Sequence, residues 1–125
     1  MTVRLLVVDD EAAIVFALSE YFTCHGWEVD CAGSLIEAEM QVNERDYTAA
    51  IIDLHLTGSD STEGLTLIDY LQVKQPGVVC ILLTAYGSGP VIVQALKRGA
   101  ARVVHKPVML SELEDELRRL VGHEA

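Results

Sequence analysis

Four short stretches end in side chains with chemical potential. The apolar run "VRLLVV" (3–8) meets three consecutive acids, Asp9, Asp10 and Glu11; "IIDLHL" (51–56) carries Asp53; "LLTAYG" (82–87) carries Thr84; and "HKP" (105–107) carries Lys106 before Pro107. Neighbouring carboxylates repel, and crowding Asp9, Asp10 and Asp53 would raise at least one pKa unless a cation compensates. Lys106 supplies one positive charge. Hard carboxylate oxygens, with open positions for water and phosphate, suit Mg²⁺. A metal beside a carboxylate, with an amine and a hydroxyl placed for peripheral oxygens, meets the needs of phosphoryl transfer, where the protein chiefly positions groups and neutralises charge. Carboxylates also accept phosphoryl groups to give an aspartyl phosphate. Asp53, alone at the end of its stretch, is the candidate acceptor.

Each residue by itself has a simpler reading. An acid after a strand is most often a helix cap or dipole partner, a threonine a turn residue and a lysine a solvated charge. Their conjunction on four segments favours a site, provided the fold brings those segments together.

The elements between them argue that it does. Strand-like runs cover 3–8, 27–32, 48–53, 78–83 and 101–105, several of them apolar enough to be buried on both faces. Helical patterns alternate with them. Ile14, Leu18, Tyr21 and Phe22 mark the first helix, closed by Gly26. Ser34 with Glu37 forms a capping box for the second, which runs to about Asn43. Leu65, Leu67, Ile68 and Leu71 mark the third, stopped by Pro76 and Gly77. The fourth has Pro90 in its first turn and Gly99 at its end. Ser111 and Glu114 read as a second capping box, opening a helix striped by Leu110, Leu113, Leu117 and Leu120. The pattern is (βα)5, an α/β doubly wound parallel sheet whose sites lie at the carboxyl ends of its strands. Four of the five strands end in the polar residues above; the second ends in Ala32, Gly33 and Ser34, a turn into a cap.

Composition bounds the rest. The 125 residues fit one domain, 1–125, with 121–125 as a tail; half are hydrophobic and the mean hydropathy is +0.29. Three cysteines, Cys24, Cys31 and Cys80, lack CxxC spacing and read as reduced core thiols. A net charge of −10 disfavours direct nucleic-acid binding. The uncharged stretch from Pro76 to Lys97 is interrupted by proline and glycine and does not suit a membrane span. The N-terminus has no basic region or cleavage site of a signal peptide, so a cytoplasmic location is expected.

"VVDDE" (7–11), "IIDLHL", "LLTAYG" and "HKP", in this order on successive strands, resemble the receiver domain of bacterial two-component response regulators, over essentially the whole chain. That resemblance implies a flavodoxin-like sheet ordered 2-1-3-4-5 and a CheY-like switch, phosphorylated on Asp53 by a histidine kinase or phosphotransfer protein in an Mg²⁺-dependent reaction. It implies that Asp10, Asp53 and the backbone carbonyl of His55 ligate the metal directly and that Asp9 acts largely through water. Lys106 would pair with one phosphoryl oxygen, and Thr84 would swing inward to another beside the small Ala85. The Lys106–Pro107 bond would be cis. Phosphorylation would shift a two-state equilibrium and alter the face of helix 4, strand 5 and helix 5, which carries output to an effector or a second copy. Val93, in the apolar run Val91–Val93, reads equally as an exposed contact there or as plain core.

Two departures stand out. Val103 occupies the position where receivers usually carry an aromatic reporter of the switch, and Tyr86 is a partial substitute. The stretch "LHLTGSDSTEGL" after Asp53 is longer than the family's usual loop and lacks its usual proline. Rival readings fare worse. A haloacid dehalogenase-type hydrolase would place a DxD motif after the first strand and need a cap; a nucleotide carrier would need a glycine-rich phosphate loop. A pseudo-receiver that signals by binding alone is the nearest alternative, and the intact Asp9, Asp10, Asp53, Thr84 and Lys106 weigh against it.

Overall fold

The structure, a computed structural model, describes residues 3–56, 62–85 and 89–122. Five strands, β1 (Val3–Val8), β2 (Trp27–Ala32), β3 (Ala49–Asp53), β4 (Val79–Thr84) and β5 (Ala100–His105), alternate with five helices, α1 (Ala12–Cys24), α2 (Leu35–Glu44), α3 (Glu63–Lys74), α4 (Gly89–Arg98) and α5 (Leu110–Leu120). All strand pairs are parallel, in the order β2-β1-β3-β4-β5.

Successive side chains of a strand point to opposite faces, so each central strand supplies two cores. Leu6, Val8, Ala50, Ile52, Cys80 and Leu82 face α2, α3 and α4, meeting Val42, Leu67, Ile68, Leu71 and Ala95. Leu5, Val7, Ala49, Ile51, Ile81 and Leu83 face α1 and α5, meeting Leu18, Phe22, Leu113 and Leu117. Such two-sided burial explains why β1, β3 and β4 read as unbroken apolar runs. Each fully buried leucine contributes about 2 kcal/mol of transfer free energy, so both layers hold the rim that joins them.

Ser34 caps α2 as the sequence predicts: its hydroxyl accepts from the Glu37 amide at 3.2 Å. The second expected box does not form. α5 begins at Leu110 with Met109 as its cap, which puts Ser111 inside the first turn. Glu114 is drawn one turn forward to Arg118, whose Nε donates to its carboxylate at 2.6 Å. Cys24 also departs from expectation, being exposed, while Cys31 is half-buried and Cys80 is buried. The α1 stripe puts Leu18 and Phe22 inward, and Cys24 falls on the solvent side. Burial pushes the Cys80 thiol up to about 12. Val93 is exposed, with Leu96 beside it on α4.

Strand order reverses between β1 and β3, since β1 connects outward to β2 and β3 onward to β4. A crevice at the carboxyl ends follows from that reversal.

Candidate functional site

Val8 of β1 pairs in register with Ile52 of β3, so Asp9 and Asp53 emerge side by side at the reversal. Asp9 is fixed on several sides: its amide donates to the Ala32 carbonyl at 3.1 Å, and its Oδ1 accepts from the Glu11 amide at 2.9 Å. This turn explains part of the acidic run. Glu11 caps α1 by backbone geometry without a side-chain bond, and Asp9 supplies the local acceptor. Asp9 and Asp53 are buried, whereas Asp10 is exposed at the mouth.

Lys106 arrives from the far end of the chain. β5 pairs Thr84 with His105, and the Lys106 amide donates to the Thr84 carbonyl at 2.9 Å, turning the side chain inward. Its Nζ lies 3.1 Å from Asp9 Oδ2, 3.5 Å from Asp53 Oδ1 and 3.7 Å from Glu11 Oε1. The Lys106–Pro107 bond is cis, as expected.

One ammonium does not neutralise this set. Oxygens of Asp9, Asp10 and Asp53 lie within 4.8 Å of one another. Burial raises the Asp53 carboxyl above its ordinary range and Asp9 raises it further, outweighing Lys106 and the His55 amide. Burial opposes the charged form of Lys106, yet Asp9, Asp53 and Glu11 together raise its pKa, so it stays protonated. An all-oxygen donor set, short of positive charge and open at Asp10, fits a hard divalent cation. Asp9, Asp10 and Asp53 are the carboxylates near enough to one another to hold it.

The remaining predicted residues are distributed around this centre. Thr84 is fully buried at the end of β4. Ala85 is exposed, and Val103 is half-buried against the core beneath α2 to α4. Tyr86 and positions 57–61 of the long stretch after Asp53 lie outside the described residues.

Two features were not legible beforehand. The His55 ring, beyond its backbone role, meets Thr84, with Nε2 3.3 Å from Oγ1; its place two residues after Asp53 is the only sequence signal. Gly64 is the second. A Cβ there would lie 2.7 Å from both the Asp53 carbonyl oxygen and Leu54 Cα, so α3 starts directly against the backbone of Asp53. A glycine in a helix's first turn has many ordinary explanations, and only the packing identifies this one.

Comparison with known proteins fits this geometry. The family model described as response regulator receiver domain matches residues 5–118. The transcriptional regulatory protein ZraR of Escherichia coli O157:H7 is 28% identical over 97% of this chain and 27% of its own length. The crystal structure of a response regulator from Burkholderia pseudomallei, with a phosphorylated aspartic acid, calcium ion and citrate, has a TM-score of 0.85 at 28% identity, covering 96% of this chain and 69% of that one. The solution structure of the beryllofluoride-activated NtrC4 receiver domain dimer has a TM-score of 0.84 at 30% identity, covering 95% and 96%. The chain spans only about a quarter to a half of the length of the curated relatives it matches.

Proposed function

Since this chain belongs to the response regulator receiver domain family of two-component systems, we propose that it accepts a phosphoryl group on Asp53 in an Mg²⁺-dependent reaction and relays that event to its α4-β5-α5 face. The observation that carries this reading is the under-neutralised cluster of Asp9, Asp10 and Asp53 around Lys106.

In the step proposed, an Asp53 carboxylate oxygen forms a bond to phosphorus as the bond to the donor's leaving group breaks, and the leaving group departs with the electron pair. A histidine kinase or phosphotransfer protein is the physiological donor in this reading, with a phosphohistidine nitrogen as leaving atom. Bound Mg²⁺ would neutralise charge on the phosphoryl oxygens and the carboxylates. Asp10, Asp53 and the His55 carbonyl would hold the ion, and Asp9 would contribute through water and by orienting Lys106. The Lys106 ammonium stabilises one phosphoryl oxygen, and the Thr84 hydroxyl donates to another. Thr84 and the chain after it thereby couple the site to α4, β5 and α5, where Val93 and Leu96 offer exposed apolar contacts to an effector or a second copy. Val103, lacking an aromatic ring, leaves this coupling to Thr84 and its neighbours.

No helix among the described residues is long and apolar enough to cross a membrane, and a cytoplasmic site of action accords with a kinase partner. Incubation with a small phosphodonor and Mg²⁺, followed by intact mass, tests the proposal. Wild type is expected to gain one base-labile phosphoryl group; chelator or Asp53→Asn should prevent it. Retention of the label by Asp53→Asn would remove Asp53 from its role, and an unlabelled wild type would favour a binding-only pseudo-receiver.

A further inference from the structure

The backbone of Thr84 is held on both flanks, so rotation of its side chain is the freedom by which it would most readily reach a phosphoryl group. β4 and β5 pair through Thr84 and His105, the Lys106 amide donates to the Thr84 carbonyl at 2.9 Å, and the residue is fully buried. On the other flank the Leu54 amide donates to the Leu83 carbonyl at 2.9 Å, continuing the β3–β4 ladder one residue past Asp53, and His55 follows directly. The His55 amide donates to Asp53 Oδ1 at 3.3 Å, and its ring Nε2 lies 3.3 Å from Thr84 Oγ1. His55 therefore touches the acceptor carboxylate with its backbone and the responding hydroxyl with its ring.

We propose that the His55 ring is a positioning residue that holds the Thr84 hydroxyl in its resting orientation, so that ring and phosphoryl group compete for that hydroxyl. A threonine hydroxyl has a single proton to donate. In the proposed resting state the ring carries its proton on Nδ1 and Nε2 accepts from the hydroxyl, so the proton is withheld from the acceptor site and activation redirects the hydroxyl to donate to a phosphoryl oxygen. This device would set how readily the domain switches through the His55 ring, a role separate from the one proposed for its backbone carbonyl. The inference rests on the proposed role of Thr84.

The test uses the whole chain with Mg²⁺ and beryllofluoride as the phosphoryl mimic. His55→Phe keeps a planar ring and removes the hydrogen bond; His55→Gln retains a polar partner. For His55→Phe the half-saturating beryllofluoride concentration is expected to fall by roughly three- to tenfold, the range of one net hydrogen bond, with His55→Gln nearer wild type. Before any mimic is added, NMR couplings of Thr84 should report a changed side-chain rotamer in His55→Phe. In a Thr84→Ala background His55→Phe should have no further effect on affinity. Unchanged or weaker affinity for His55→Phe, an unaltered Thr84 rotamer, or an equal effect in the Thr84→Ala background would each overturn the proposal. Failure of wild type to bind beryllofluoride would instead strike the phosphoacceptor reading, while the rotamer measurement still tests the ring contact.

Discussion

Two groups of charged side chains in this molecule are solved in opposite ways. At the end of α5, Glu116 meets Arg102 at 2.7 Å and also pairs with Arg119, while Glu114 has Arg118 at 2.6 Å. Three guanidinium groups serve two carboxylates, and hydrogen bonding from Arg119 leads in holding Glu116 below the ordinary range. At the strand ends, Lys106 lies within 4 Å of Asp9, Asp53 and Glu11 at once, with Asp10 beside them, and Asp53 is raised. The first arrangement is complete in the protein alone. The second is left short of positive charge, and that deficit distinguishes it from an ion-pair network.

Removing a cation from each group gives the largest contrast. Lys106→Met leaves the buried Asp9 without its ammonium and should cost about 3 kcal/mol of metal-free stability in urea titration. Arg102→Met, in the exposed network, should cost less than about 0.5 kcal/mol. Equal losses would erase the distinction.

Gly64→Ala tests the frame behind Asp53. Its new methyl meets backbone, which yields less readily than a side chain, so a loss of about 2 kcal/mol is expected. Weaker Mg²⁺ binding by calorimetry should accompany it, because Asp53 must shift. A fully stable variant with unchanged affinity would show that α3 does not set the acceptor's place.

A smaller effect separates the groups by pH. Asp53 sits above its ordinary 3.8, so its contribution is fully present below that pH and is lost as pH rises through its folded value. Glu116 sits below its ordinary 4.5, so its contribution is present above that pH and is lost as pH falls through its folded value. Melting temperature against pH, measured without metal, should therefore show wild type falling relative to Asp53→Asn as pH rises from 4. Glu116→Gln should show a slight difference of the opposite slope. The same slope in both would contradict the assigned directions.

The site was legible because its chemistry sits at strand ends. Unbroken apolar runs fix where β1, β3 and β4 stop, and parallel pairing then forces Asp9, Asp53, Thr84 and Lys106 onto one rim. Local hydrogen-bond choices were less legible. Ser34 and Glu37 form their capping box, but the same pattern at Ser111 and Glu114 loses to Arg118, a partner one turn away that a start-of-helix motif does not weigh. Cys24 looked like core by composition, yet the face of α1 puts it in solvent. The His55 ring and Gly64 depend on what β4 and α3 bring opposite them, which no spacing within their own segments encodes.

The most direct test of the charge deficit is thermal unfolding of wild type and Asp53→Asn across an Mg²⁺ titration. Without metal the variant should melt higher, because it lacks one of the crowded charges; added Mg²⁺ should raise the wild type progressively, by about 2.7 kcal/mol at a hundredfold excess over Kd, and move the variant far less. A wild type indifferent to Mg²⁺, or a metal-free variant that melts no higher, would contradict the account.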